Sequence, residues 1–241
     1  MSRCLVFATT TDLGKSVLSA GLLQSARRAG YKNLQYIKPV QTGGGNIDQS
    51  FVHKAVKVDH AATLFSYKDP LSPHVAAARD GQRPPTGREI RSAISACLSS
   101  IPNGDINHSL SIIETAGGPL SPGPDGTLQA DLLRMCNIQA VLVGDGRLGG
   151  ISTTLASLEA LLNRQYTVAS IVVFSSSEDE QETGNCAFLT KLLAIPVRRC
   201  SGIPRDPKTP LDAFFLSNQA MFDRVLKDVV EGTPERGEIE N

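Results

Sequence analysis

The stretch Ala8-Thr9-Thr10-Thr11-Asp12-Leu13-Gly14-Lys15-Ser16, ATTTDLGKS, decides how the rest of the chain is read. Its end, Gly14-Lys15-Ser16, closes the phosphate-binding motif G-x-x-x-x-G-K-[ST]. Its beginning departs from that motif, with Thr9 where the first glycine belongs and Ala8 one residue earlier. In such a loop the backbone N–H groups wrap the phosphates, the lysine reaches the β- and γ-phosphates and the hydroxyl serves a magnesium ion. The context fits: the apolar run Cys4–Ala8 reads as a strand, and Val17, Leu18, Gly21, Leu22 and Ala26 recur at helical spacing up to a stop at Gly30. An anion at that helix start would also meet the partial positive charge of the helix dipole. Alanine in place of glycine adds one methyl, tolerable where φ is negative, and the threonines offer hydroxyls.

Outward from this loop, further strand-like runs are 33–37, 109–113, 140–143, 168–174 and 196–199. The first of these is expected to break at Lys38-Pro39. Helices are expected over 48–65, 87–98, 127–135, 150–163, 181–193 and 211–230, with 42–47 a flexible loop and 66–86 irregular. The segment 115–126, carrying four glycines and three prolines, reads as a loop. Strands alternating with helices predict an α/β fold of the P-loop NTPase type, a mostly parallel sheet with helices on both faces. One domain over residues 1–230 is expected, followed by a polar, mobile tail at 231–241.

Bulk properties narrow the function. Over 241 residues, 24 Lys and Arg balance 24 Asp and Glu, and no basic stripe with interleaved aromatics appears, so no nucleic acid is expected. No apolar run approaches ~18 residues, so no membrane span is expected. The run CLVFA is too short for a secretory signal. Cys4, Cys97, Cys136, Cys186 and Cys200 are scattered without a C-x-x-C pair, which points to a reducing compartment and a cytoplasmic location.

Ligands of open α/β sheets sit beyond the carboxyl ends of the strands. Three runs end in chemically pointed sequences: Lys38-Pro39-Val40-Gln41-Thr42-Gly43, Glu114-Thr115-Ala116-Gly117-Gly118-Pro119, and Gly144-Asp145-Gly146-Arg147-Leu148-Gly149-Gly150-Ile151-Ser152. Singly, Lys38 or Glu114 reads as a surface charge; gathered at one edge beside a phosphate loop, they read as a site, with the carboxylate placed for Mg²⁺. Gly144-x-Gly146-x-x-Gly149 also matches a dinucleotide fingerprint. That fingerprint wants an acidic residue roughly 20 positions on, at the end of the next strand. That strand ends near Phe174-Ser175-Ser176, with Glu178 and Asp179 too late, which argues against a nicotinamide enzyme.

In order, TTTDLGKS, KPVQTG, LSPHVAAA at 71–78, ETAGG and GDGRLGGIS make the chain resemble the dethiobiotin synthetases over nearly its whole length. The wording ETAGGPLSPGPDGTLQADL and VGDGRLGGIS resembles the synthetase domain of bifunctional eukaryotic proteins, which would make the location mitochondrial if this is such a domain. The resemblance implies carboxylation and ring closure of 7,8-diaminononanoate with CO₂ and ATP, through a carbamate and a carbamic-phosphoric anhydride. It implies that Lys15 and Lys38 are catalytic, Lys15 on the β- and γ-phosphates and Lys38 between carbamate and γ-phosphate. Asp12, Leu13, Gly14, Lys15, Ser16 and Val17 would bind ATP, with Phe174 and Pro204, from Ile203-Pro204-Arg205-Asp206, at the purine. Ser16, Glu114 and Asp48 would hold Mg²⁺. Thr11, Thr42, Gly117, Gly118 and Arg147 would meet the diamine or its carbamate, a surface cation being the other reading of Arg147. A homodimer is implied, with Gly150, Ile151 and Ser152 at a helix N-terminus receiving the substrate carboxylate from the partner's site. Bacterial members carry V-A-N-D where this chain has Val172-Val173-Phe174-Ser175, so Phe174 could stack on a base without the two amide hydrogen bonds of the asparagine, and base preference stays open. His74 has no chemical role in this reading, only a helix-start or packing one.

Two other readings are a partitioning or positioning ATPase and an amide-forming ATPase of the cobyrinic acid diamide synthase kind. The first carries an extra lysine early in the loop, where residues 9–13 here are Thr-Thr-Thr-Asp-Leu; the second needs a glutaminase part for which no room remains.

Overall fold

The computed structural model describes residues 2–100, 108–134, 138–175, 180–204 and 209–232. Of the expectations above, the tail beyond Gly232, Cys136, Arg205 and Asp206 lie outside the described residues. The chain runs β1 (Ser2–Ala8), α1 (Lys15–Arg28), β2 (Asn33–Thr42), α2 (Ile47–Val56), β3 (His60–Tyr67), α3 (Pro73–Asp80), α4 (Gly87–Ser99) and β4 (Ser109–Glu114). It continues with α5 (Gln129–Leu132), β5 (Gln139–Gly144), α6 (Gly150–Leu162), β6 (Val168–Ser175), α7 (Glu180–Leu192), β7 (Val197–Ser201), α8 (Asp212–Ser217) and α9 (Gln219–Glu231).

The strands form one seven-stranded sheet in the order β3-β2-β4-β1-β5-β6-β7. Every pairing is parallel. Alternation along the central strands assigns the two faces. Cys4, Val6 and Ala8 of β1, Leu110 and Ile112 of β4, and Val141 and Val143 of β5 pack with α1 and α9. Leu5, Phe7, Ile113, Ala140 and Leu142 point the other way, to Ile90 and Ile94 of α4, Leu158 and Leu161 of α6 and Leu189 of α7. Burial on both faces is why these strands are near-continuous apolar runs.

Several elements depart from expectation. β2 continues through Lys38-Pro39 to Thr42. Its pairing with β4 ends at Ile37↔Ile113, so Pro39 lies where the strand has a neighbour on one side only, a place that tolerates a residue without an N–H. The helix expected over 48–65 is α2 followed by the edge strand β3, whose mostly half-buried residues show no alternation to reveal it. The irregular 66–86 contains α3, opened by Pro73 at its first turn. His74 follows as an exposed helix-start residue, not a packed one. The helix over 127–135 contracts to α5. The last helix is divided at Asn218, whose side chain accepts from the Ser201 N–H at 3.0 Å and donates to the Phe214 carbonyl at 2.8 Å, tying the break to the end of β7.

The chain leaves β1 toward β2 on one side and later leaves β4 for β5 on the other, so a crevice opens at the carboxyl end of β1.

Candidate active site

The loop after β1 bends through two residues with positive φ, Asp12 at 58° and Gly14 at 94°. Neither Ala8 nor Thr9 is among them. Ala8 is buried strand, paired with Val143, and the Thr9 N–H still donates to the Val143 carbonyl at 3.0 Å. The left-handed turn therefore sits nearer α1, on a residue type that tolerates it and on a glycine, which is why the opening glycine is dispensable. Gly14 caps α1, and a Cβ there would lie 2.4 Å from Ile203 Cδ1 and 2.9 Å from Phe174 Cε2. Gly118 seats the β4–α5 segment against the loop, since a Cβ would come 2.7 Å from the Thr9 carbonyl oxygen.

Lys15 is buried at the head of α1. Its ammonium donates to the Thr10 carbonyl at 3.2 Å, and among the described residues it makes no ion pair. Burial pulls its pKa below the ordinary lysine value and the charge of Lys38 adds to this, with Glu114, Asp48 and Asp12 opposing.

Register explains the cluster beside it. Ile37 pairs with Ile113, so the next residues, Lys38 and Glu114, come level on adjacent strands. Lys38 Nζ is 2.8 Å from Glu114 Oε1 and 2.7 Å from Asp48 Oδ2, and donates to the Thr115 carbonyl at 3.2 Å. Glu114 also accepts from Ser16 Oγ on Oε1 and from Ser19 Oγ on Oε2, both at 2.8 Å. Its exposure is 0%, that of Lys38 4% and that of Asp48 26% by side chain. Burial raises the Glu114 pKa, but the charge and hydrogen bond of Lys38, with Ser19 and Lys15, bring it below the usual carboxylate value. Burial lowers that of Lys38, and Glu114 and Asp48 carry it above the ordinary lysine value.

One cleft of about 2220 Å³ holds both ammonium groups. It exceeds the ~300–1,000 Å³ of a single small-ligand pocket, leaving space for a nucleotide and a second molecule. Thr11, Asp12, Leu13, Gly14, Ser16, Val17, Thr42, Asp48, Glu114, Gly117, Arg147, Phe174 and Pro204 line it with them. Gly118, Gly150, Ile151 and Ser152 do not. Arg147 is paired in bidentate fashion with Asp145, Nε to Oδ1 at 2.9 Å and Nη2 to Oδ2 at 2.7 Å, while its side chain is largely exposed.

Ile203, Asp145 and Leu71-Ser72-Pro73, which stand within stretches singled out in the sequence, also line the cleft, whereas Ser19 went unnoticed there. As a polar residue three positions after Ser16 on a buried helix face, Ser19 was detectable. Among the described residues no group of three or more His, Cys, Asp and Glu side chains is placed to hold a metal ion. The oxygens that converge are two carboxylates and the Ser16 hydroxyl, and such a hard, sparse donor set suits Mg²⁺ completed by phosphate oxygens and water. Cys4, Cys97, Cys186 and Cys200 are free. No described helix is long and apolar enough to cross a membrane.

A family described as an AAA domain matches residues 2–209. An ATP-dependent dethiobiotin synthetase BioD from Rhodopseudomonas palustris (strain BisB18) is 34% identical over 91% of this chain and 93% of its own. The protein of that name from Agrobacterium fabrum is 31% identical over 95% and 97%. The bifunctional dethiobiotin synthetase/7,8-diamino-pelargonic acid aminotransferase of Oryza sativa subsp. japonica, mitochondrial, is 32% identical over 94% of this chain, which spans only 34% of that relative. Among solved structures, a MinC:MinD cell division complex from Aquifex aeolicus superposes with a TM-score of 0.59 at 10% identity, covering 99% of each chain. That likeness shows the P-loop fold alone. With near-complete coverage by the bacterial relatives, the chain belongs to the dethiobiotin synthetase family.

Proposed function

We propose that this chain joins CO₂ to 7,8-diaminononanoate at the cost of ATP, giving dethiobiotin, ADP and phosphate, as a step of biotin synthesis. One observation carries the reading. A buried lysine at a phosphate loop, which makes no ion pair among the described residues, shares a cleft with a second lysine held between two carboxylates. A triphosphate would supply the direct anion partner that the Lys15 ammonium does not have among the described residues. The backbone of residues 12–17 and Lys15 take the β- and γ-phosphates, and Phe174 and Pro204 flank the base. Ser16, Glu114 and Asp48 would hold Mg²⁺, which when bound would neutralise charge on the phosphates.

One amine of the substrate takes up CO₂ as a carbamate and loses a proton. A carbamate oxygen then attacks the γ-phosphorus and ADP departs. The second amine attacks the carbonyl carbon of the mixed anhydride, closes the ureido ring and expels phosphate. Protein work here is positioning and charge neutralisation, with Lys38 between the reacting anions. Thr11, Thr42, Gly117 and Gly118 shape the diamine end, and Arg147 reaches the carbamate after exchanging Asp145 for it. Gly150, Ile151 and Ser152, which do not line their own cleft, act on the partner's in a homodimer. Residues 1–230 serve as one domain, in the cytoplasm, or in the mitochondrion if part of a bifunctional protein.

Phosphate release from ATP is expected to require both bicarbonate and the diamine, with a product of dethiobiotin mass. Turnover that continues with either omitted overturns the assignment.

A further inference from the structure

Ser19 lies one helical turn after Ser16, in the interior of α1, with 0% exposure. A serine in mid-helix commonly returns its hydroxyl to the carbonyl four residues back. Here it instead donates to Glu114 Oε2 at 2.8 Å. The other oxygen, Oε1, is shared by Ser16 Oγ and Lys38 Nζ, each at 2.8 Å. The two oxygens of one fully buried carboxylate are thus held from different sources. Oε1 meets groups that the proposed reaction must redeploy, Ser16 to the metal and Lys38 to the phosphoryl oxygens. Oε2 meets a group with no other task.

We propose that Ser19 is a positioning residue that fixes the Glu114 carboxylate so that Oε1 faces the metal position while Ser16 and Lys38 change partners. This rests on the reading of Ser16, Asp48 and Glu114 as magnesium donors, and it assigns to Ser19 no contact with substrate. Without its hydroxyl, Oε2 of this buried carboxylate has lost its serine donor, and the carboxylate is freer to turn about its last torsion. Groups that orient a metal ligand cost ~10- to 100-fold in metal affinity when removed.

The test is calorimetric titration of the full chain with the non-hydrolysable imido analogue of ATP, with and without Mg²⁺, alongside thermal melting. In the parent, Mg²⁺ tightens binding. In Ser19→Ala that tightening falls by about 10-fold or more while metal-free affinity stays near the parent's. Ser19→Thr, which keeps the hydroxyl, recovers it; if the added methyl lowers the melting temperature, Ser19→Cys, of similar size but a weaker donor, falls between. Retention of the full tightening in Ser19→Ala overturns the proposal. So does an equal loss of both affinities with a lowered melting temperature, which is the mark of a packing role, and so does a parent that shows no tightening. A parent that binds the magnesium nucleotide yet makes no dethiobiotin overturns the assigned reaction and leaves this result to stand by itself.

Discussion

Lys38 and Lys15 are both buried amines at one edge of one sheet, yet their surroundings push them in opposite directions. Lys38 has the hydrogen-bond acceptors an ammonium wants, Asp48, Glu114 and the Thr115 carbonyl, and stays firmly charged. Lys15 donates to one carbonyl, and burial together with the charge of Lys38 outweighs the opposing Glu114, Asp48 and Asp12, so its pKa is held below the ordinary lysine value. Replacement of Lys38 by methionine leaves Glu114 buried without its cation, a change that costs about 3–5 kcal/mol when a buried pair is broken. The pH dependence distinguishes this from simple loss of packing. In the parent, Glu114 titrates below its unfolded value of 4.5, so its ionised form contributes stability that is complete above about pH 4.5 and is lost as pH falls through the folded value. In Lys38→Met the largest opposing influence on burial is gone, and the loss begins at higher pH. Urea midpoints from pH 7 to 4 are expected to diverge between the two proteins, and parallel profiles would show that Lys38 does not hold the Glu114 charge.

At the scale of elements, the site depends on how closely α1 is drawn onto its neighbours. A Cβ at Gly21 would fall 2.3 Å from Cε1 of Phe222, a ring 1% exposed within the α1–α9 contact. Gly21→Ala gains helix propensity but must displace that ring, and overpacking of this kind costs about 1–3 kcal/mol. A lowered urea midpoint is expected, and an unchanged or raised one would show that α9 yields freely. That packing was not legible in the sequence, where Gly21 counted only as one member of an apolar face. What was legible is what short-range chemistry writes: a strand, a glycine-lysine-serine loop and a helix at residues 4–28, and pointed sequences at the carboxyl ends of strands at 114–119 and 144–152, with that at 38–43 lying mostly inside β2 and not after it. What escaped is set by partners distant along the chain. β3 is an edge strand whose residues lack alternation, β2 passes Pro39 because β4 has already ended, and the break at Asn218 exists because Ser201 is there to receive it. Ser19 lies between the two cases: its place on the buried face of α1, three residues after Ser16, was visible, but its partner Glu114, 95 residues further on, was not.

For the whole molecule, the open question is whether one chain makes a complete site. The cleft gathers residues from the ends of β1, β2, β4, β5 and β6, but not Gly150, Ile151 or Ser152 at the start of α6, although that helix follows directly from Arg147 at the cleft's edge. Beside the same mouth, Ile47, Leu120 and Leu148 are 58%, 52% and 85% exposed, large apolar side chains of the kind a second copy covers. If the proposed homodimer uses this face, an isologous interface would set the α6 start of each chain over the cleft of the other. Two inactive variants then rescue one another. Lys15→Ala removes the phosphate lysine from its own cleft, and Ser152→Glu puts a negative charge at the exposed start of α6, where the substrate carboxylate would lie. In a mixed dimer, the cleft with an intact Lys15 receives an intact α6 from the Lys15→Ala chain. Random exchange of equal amounts gives mixed dimers as half the population, each with one good site, so about a quarter of parental activity is expected. If α6 serves its own chain, both sites of the mixed dimer are defective and nothing returns. Dethiobiotin formation after co-refolding the two variants therefore decides between a site shared across two chains and one contained in a single chain.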